Sequence, residues 1–387
     1  MTHNTASRMR DIQPFHVMAL LAEARQREAA GQDIIHLEIG EPDFPTPQPI
    51  VEAGIRALQQ GHTKYTAARG LPALREAIAG YYASRFGVTI APERILITPG
   101  ASGALQLVLG AMLNPGDEVL MTDPGYPCNR HFVRLFEGKA TGIPVGADTA
   151  YQLTPTHLAQ YWTQATRAVL LATPANPTGT VLSLAELNAL YAATTQRGGE
   201  LIVDEIYQGL TYGVPDITAL AVNAENIWVI NSFSKYFGMT GWRLGWVVAP
   251  EYAVETLDRL AQNVFLAAPT PAQYAALAAF TPEALAIMEA QRQELQQRRD
   301  FLLPALRELG FEIQADPQGA FYIYANAARF GMDAQTLCRE MLDKTGVTFT
   351  PGIDFGSHQA DTHVRFAYTC NVVRLEQAVE RLAKFLR

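Results

Sequence analysis

Lys235 lies in the stretch of chain richest in chemically useful side chains, Ser232-Phe233-Ser234-Lys235-Tyr236-Phe237-Gly238-Met239-Thr240-Gly241-Trp242-Arg243-Leu244-Gly245. Two serines, one lysine and one arginine within twelve residues suit an anion together with a reactive amine. An apolar run, Ile227 to Ile230, precedes them, and glycines at 238, 241 and 245 disfavour a helix. Lys235 therefore falls just past a strand end, where α/β sheets present their ligands. Two other apolar runs end in Val203-Asp204-Glu205-Ile206-Tyr207 and Ala172-Thr173-Pro174-Ala175-Asn176-Pro177-Thr178-Gly179. Taken singly, the Asp reads as a helix N-cap, the Pro/Gly/Asn stretch as ordinary loop and the lysine segment as a charged surface loop. Together, Asn176, Asp204, Tyr207, Lys235 and Arg243 lie at successive strand ends of one sheet. A fourth junction, Pro99-Gly100-Ala101-Ser102-Gly103, joins strand to helix and offers the free N–H groups and dipole of a first helical turn to an anion. Ser102 there reads equally as a plain N-cap or as a hydroxyl for that anion.

Short β-rich runs alternate with helical patterns around these residues. Strands are expected at 94–98, 118–121, 168–172, 201–203, 227–230 and 244–248, with helices at 101–112 and 184–196. That alternation implies a largely parallel sheet covered on both faces. From about Pro282 the pattern changes: a long charged helix at 283–299, then runs at 311–314 and 320–324, a helix at 334–342, runs at 347–350 and 363–367, and a closing helix from Val373. The first 45 or so residues lack a strand–helix unit of their own. The expected division is a large domain over 46–281 and a small domain made of 1–45 and 282–387.

Of 387 residues, 30 are Lys or Arg and 38 are Asp or Glu, a formal net charge of −8. That balance argues against a nucleic-acid partner, whose footprint is basic. Apolar residues make up 48% and charged ones 18%, which excludes disorder, collagen and coiled coil as the dominant class. No apolar stretch approaches the ~18 residues of a membrane span, and the first residues lack a signal-peptide core. Cys128, Cys338 and Cys370 are too few for a disulfide framework, and a reducing cytoplasm is expected. No P-loop, dinucleotide fingerprint or zinc motif is present, and His358 and His363 around Asp361 read as solvated surface rather than a metal site.

The ordered set of motifs resembles the fold-type I pyridoxal-phosphate enzymes, specifically the class I/II aminotransferases, with the aspartate, alanine and aromatic enzymes the nearest in pattern. The likeness runs through Ile39-Gly40-Glu41-Pro42-Asp43-Phe44, Tyr65 with Arg69-Gly70-Leu71-Pro72-Ala73-Leu74-Arg75, Asp123-Pro124-Gly125-Tyr126-Pro127, the clusters above, Gln318-Gly319-Ala320-Phe321-Tyr322, Thr350-Pro351-Gly352 and Val364-Arg365-Phe366-Ala367. It implies an α/β fold whose large domain holds a mostly parallel seven-stranded sheet between helices, beside a smaller α/β domain.

It also implies pyridoxal 5'-phosphate, bound as a Schiff base by Lys235, which would then move the substrate's Cα proton. Asp204 would face the pyridine nitrogen, Tyr207 and Asn176 the phenolic oxygen, and Tyr126 the ring face. Gly100, Ala101, Ser102, Ser232, Ser234 and Arg243 would hold the phosphate, joined by Tyr65 from a neighbouring subunit of a homodimer. Arg365 would clamp the substrate carboxylate, helped by Asn176 and the backbone at Gly40. The reaction would be ping-pong transfer of an amino group from an L-amino acid to a 2-oxo acid.

The resemblance extends to Cys128 as the cysteine nearest the cofactor. The segment around Phe15, Val17 and Met18 would cover the pocket and suit apolar donors. A carbon–sulfur β-lyase on the same fold is the alternative. A remote one takes Ser232 to Lys235 as the S-x-x-K of serine β-lactamases, with Tyr324-Ala325-Asn326 and Lys344-Thr345-Gly346 as later boxes. The glycines after Lys235 speak against that. A pyridoxal-phosphate-dependent regulator would need a DNA-binding domain, for which the N-terminal stretch is too short.

Overall fold

The computed structural model describes residues 5–12, 14, 16–223 and 225–386. Seven strands form the central sheet: β1 (Ile95–Thr98), β2 (Glu118–Asp123), β3 (Lys139–Pro144), β4 (Thr166–Ala172), β5 (Glu200–Asp204), β6 (Trp228–Ser232) and β7 (Gly245–Val248). Their order is β1-β7-β6-β5-β4-β2-β3. β7 runs antiparallel to both of its neighbours, and the remaining pairs are parallel.

The pleat divides each strand between two cores. Leu96, Val119, Ile202, Ile230 and Val247 pack against the helices Gly100–Met112 and Val254–Val264. Ile95, Ile97, Leu120, Leu201 and Val203 face the other layer, whose core continues into the second unit through Tyr322, Ile323 and Phe366.

Six of the seven strands begin or end within two residues of the expected runs. β3 has no counterpart among them. It is an edge strand with only Ile143 buried, so it carries no apolar run to announce it.

The second unit hangs on the helix Pro282–Leu309, capped by Thr281, whose Oγ1 accepts the Ala284 N–H, and ended by Gly310 in the left-handed region. It runs a further three turns past the expected end at Arg299, through Pro304. Strands Thr350–Pro351, His363–Ala367 and Tyr322–Asn326 form an antiparallel sheet in that order. The expected run 347–350 splits: Val347–Thr348 leaves this sheet to pair in parallel with Ile35–His36. The run 311–314 contributes only a bridge, Glu312 to Asn326, instead of a strand. Ile35–His36 and the helix His16–Ala29 thereby lie against the C-terminal elements. The Asp123 carboxylate at the end of β2 accepts the Ser357 and His358 N–H groups and the Ser357 hydroxyl, which ties the large sheet to the C-terminal unit. Among the described residues no helix is long and apolar enough to cross a membrane.

Candidate active site

The ends of β4, β5 and β6 and the start of β7 open on one cavity of about 560 Å³. Because β7 is antiparallel, Arg243 just before it reaches the same edge as residues that follow the other strands. The cavity is lined by Gly40, Ala101, Ser102, Tyr126, Asn176, Asp204, Tyr207, Ser234, Lys235, Arg243 and Arg365, all named by the sequence. Gly100 and Ser232 lie behind this lining. The Ser232 hydroxyl is 3.0 Å from the Leu244 carbonyl and 2.8 Å from Ser234 Oγ, so it braces the loop. Tyr65 is 82% exposed and outside the cavity of its own chain. Phe15 lies outside the described residues; Val17, Met18 and Leu21, on the helix His16–Ala29, form an apolar wall.

Asp204 ends β5 fully buried, and its Oδ1 accepts the Ile206 N–H at 3.0 Å. This closes an Asx turn, and no helix follows for Asp204 to cap. Burial pushes its carboxyl up to about 6, against the pull of that backbone bond. Lys235 Nζ donates to the Gly40 carbonyl at 2.7 Å. Burial lowers its pKa to about 8, countered by the charge of Glu41 and reinforced by Arg365 and Arg243. Lys235 also lines a second chamber of about 480 Å³, bounded by Glu41, Thr46 and Gln291, so its amine stands between two open spaces.

The junction between β1 and the helix Gly100–Met112 is built on glycine. Gly100 has φ +72°, and a Cβ there would lie 2.7 Å from Arg243 Nη2. A Cβ on Gly245 would lie within 2.8 Å of the backbone of Gly100, Ala101 and Asn231. The helix Gly100–Met112 is preceded by Pro99 and has no side-chain cap, so Ser102 is not an N-cap. Its first-turn N–H groups remain available to an anion, together with Ser102, Ser234, Thr240 and Arg243 at the cavity wall.

Arg365 is held flat between the Tyr322 and Phe355 rings, at 4.2 and 4.8 Å from their centroids. Its Nη1 donates to Asn176 Oδ1 at 2.9 Å, and its Nη2 to the Glu38 carbonyl at 2.7 Å and to Thr350 Oγ1 at 3.3 Å. Its buried Nε has no partner among the described residues. The Tyr207 hydroxyl lies 2.8 Å from that of Tyr322.

The sequence reading assigned no role to Tyr322, Phe355, Asp354, Glu38 or Thr350. Their signal was adjacency: Glu38 stands two residues before Gly40, and Asp354-Phe355 follows Thr350-Pro351-Gly352. Cys128 is half-buried beside Tyr126 but does not line the cavity. The β-lactamase alternative fails on geometry. No helix starts at Ser232, and Lys344 closes the helix Ala334–Thr345 in an ion pair with Glu340.

These features could hold a phosphorylated, aldehyde-bearing aromatic cofactor and a carboxylate-bearing amine. Four of them match such groups: a buried carboxylate with one backbone donor, a lysine with lowered pKa, a glycine cradle under an arginine, and an orphaned arginine N–H. The chain belongs to the aminotransferase class I and II family, whose profile matches residues 32–382. It is 37% identical to the valine–pyruvate aminotransferase of Mycobacterium tuberculosis over 97% of both chains. It is 34% identical to the aspartate aminotransferase of Geobacillus stearothermophilus over 98% of both. Among solved structures, it superposes on an aminotransferase from Mycobacterium tuberculosis with TM-score 0.96 at 37% identity, covering 100% of this chain and 99% of that one. The Thermus thermophilus aspartate aminotransferase with maleate follows at TM-score 0.94 and 32% identity, covering 99% of this chain and 100% of that one. The protein is thus a fold-type I aminotransferase, an enzyme of the EC 2.6.1 type that uses pyridoxal phosphate.

Proposed function

We propose that the cavity transfers the amino group of an L-amino acid with an apolar side chain to a 2-oxo acid, and that the residues placed above divide the work as follows. Bound pyridoxal phosphate supplies an electrophilic carbon and a protonated ring that draws electrons from the substrate's Cα. Asp204 would hold the proton on the ring nitrogen, Tyr207 and Asn176 would bond the ring oxygen, and Tyr126 would cover the ring face. Gly100, Ala101, Ser102, Ser234 and Arg243 hold the phosphate, with Ser232 bracing Ser234 from behind. Arg365 orients the α-carboxylate, assisted by Asn176 and Gly40.

Lys235 is the attachment residue and the base at Cα. With its pKa near 8, about a tenth of the amine is neutral at pH 7 even when it is free. The Lys235 amine, in one cavity with Asp204 and Arg365, is the observation that carries this reading.

The apolar preference rests on the Val17, Met18 and Leu21 wall and on the Phe355 ring beside Arg365. The name of the valine–pyruvate relative agrees with it. The large domain spans 46–281, and 1–45 joins 282–387 in the small one. The enzyme is a cytoplasmic homodimer in which Tyr65 serves its partner's phosphate. A donor-by-acceptor panel tests the substrate class: alanine, valine or aromatic donors should react faster than aspartate. Equal or faster turnover of aspartate overturns the preference, and pyruvate and ammonia released from cysteine without an acceptor would favour the lyase. Lys235→Ala should lose at least 10²-fold in turnover. Near wild-type multiple turnover in that variant would end the assignment.

A further inference from the structure

Behind Arg365 lies a charged relay that no catalytic role explains. The Glu38 side chain is wholly buried. Its Oε1 lies 2.6 Å from His36 Nδ1, while its Oε2 has no hydrogen-bond partner among the described residues. On the far side of the imidazole, His36 Nε2 lies 3.1 Å from Glu28 Oε1. His36 ends the strand Ile35–His36, Glu38 lies two residues beyond it, and Glu28 belongs to the helix that also carries Val17, Met18 and Leu21. The main-chain carbonyl of Glu38 accepts Arg365 Nη2.

We propose that His36, clamped between Glu38 and Glu28, is a positioning residue for substrate recognition: its imidazolium fixes Glu38, whose backbone carbonyl in turn aims Arg365 at the α-carboxylate. The inference rests on the assignment of Arg365 above. Its logic is that of a buried charge. An ionised carboxylate without a cation is costly in the interior and must protonate or move toward water. Among the described residues His36 is the one hydrogen-bond partner of the Glu38 side chain, so loss of the imidazolium leaves that charge unbalanced at the residue whose carbonyl holds the arginine.

A neutral ring can donate from one nitrogen only. It would turn a lone pair toward the other carboxylate and release either Glu38 or the pocket-wall helix. Burial favours that neutral ring, but the hydrogen bonds and charges of Glu38 and then Glu28 outweigh it, and the His36 pKa is raised overall. Of the charges on the other packed elements, Arg27 pairs with Glu23 and Asp343, and Arg374 and Arg381 pair with Asp33, while Arg374 also acts through its charge on Glu28. Arg25, on the same helix, lines the cavity.

The test uses the holoenzyme and 4-methylpentanoate, a carboxylate that cannot react. Linkage requires that a ligand whose binding depends on the imidazolium raise the His36 pKa on saturation. In wild-type protein, ¹⁵N NMR of His36 should show that rise, and an unchanged His36 titration overturns the proposal even if no variant folds. By calorimetry, His36→Gln should weaken binding about tenfold and lose the part of the pH dependence that Lys235 does not account for. His36→Lys, which keeps a cation, should recover most of the affinity. In steady state, His36→Gln should raise the donor KM while leaving kcat within about twofold, since the base at Cα is untouched. Arg365→Gln is the control. If it leaves 4-methylpentanoate binding unchanged, the carboxylate assignment fails. If it abolishes binding while His36→Gln binds like wild type, only the positioning proposal fails.

Discussion

Gly100 and Asp204 show how single residues set the cofactor site. Gly100→Ala would place a methyl against Arg243 Nη2 at a backbone φ of +72°. We expect a stability loss of about 1–3 kcal/mol and a clear loss of cofactor affinity, measured by thermal unfolding and by fluorescence titration of the apoenzyme.

Asp204 makes a pH prediction. Its carboxyl in the chain alone is raised from the ordinary 3.8 to about 6 by burial. A raised carboxyl lends stability that is complete below 3.8 and lost as pH rises through 6. Pairing with a protonated ring returns that loss, so the cofactor should raise Tm more at pH 7 than at pH 5. The same difference should vanish in Asp204→Asn, and its persistence there would remove Asp204 from the role.

The residues legible in the sequence, Asn176, Asp204, Lys235 and Arg243, all sit at junctions between apolar runs and breakers, where local pattern dictates position. Glu38, Phe355 and Tyr322 were not legible. They reach the cavity only through the docking of the small unit, and no local pattern encodes that approach.

At the scale of elements, Asp354 links three of them. Its carboxylate accepts the His16 and Val17 N–H groups, each at 2.8 Å, and so caps the start of the pocket-wall helix. Its carbonyl accepts Arg130 Nη2 at 3.0 Å, from the helix that begins just after Tyr126. Asp354→Ala should cost about 1–2 kcal/mol through the lost cap. It should also speed hydrogen exchange across 16–21 and raise the donor KM. Unchanged exchange there would show that the helix is held by its packing alone.

Strand order followed from apolar periodicity; helices such as Gln48–Gln59, Pro72–Phe86, Pro127–Leu135 and Val254–Val264 had no expected counterpart, and the strand and boundary misses share one cause. β3 is an exposed edge, the runs 311–314 and 347–350 are too short to reveal which strands they join, and the long helix continues past Arg299 because packing against the closing helix carries it through Pro304. Pairing partners and packed neighbours, rather than composition, decided each case.

For the whole molecule, the exposed Tyr65 makes a mixing experiment decisive. A dimer of a Lys235→Ala chain with a Tyr65→Ala chain has one site combining an intact Lys235 with a partner's intact Tyr65. If the chain dimerises as proposed, refolding the two inactive or weakened variants together at equal amounts should restore activity toward about a quarter of wild type, since half of the dimers are mixed and each has one intact site. No recovery would mean that Tyr65 does not act across subunits. The net charge of −8 surrounds a cavity whose lining sets Arg25, Lys235, Arg243 and Arg365 against Glu38, Glu41, Asp204 and Asp354, so an anionic substrate meets individual cations there rather than a field of one sign.

The antiparallel course of β7 has a consequence for engineering. The chain leaves the sheet at Ser232 and re-enters at Gly245 on the adjacent strand, and that re-entry is pressed against the backbone of Gly100 and Ala101. The lysine loop is therefore a peninsula with both shores fixed, not a detachable insert. Grafting this chemistry onto another scaffold would mean transplanting β6, the loop, β7 and the first turn of the helix after β1 as one block.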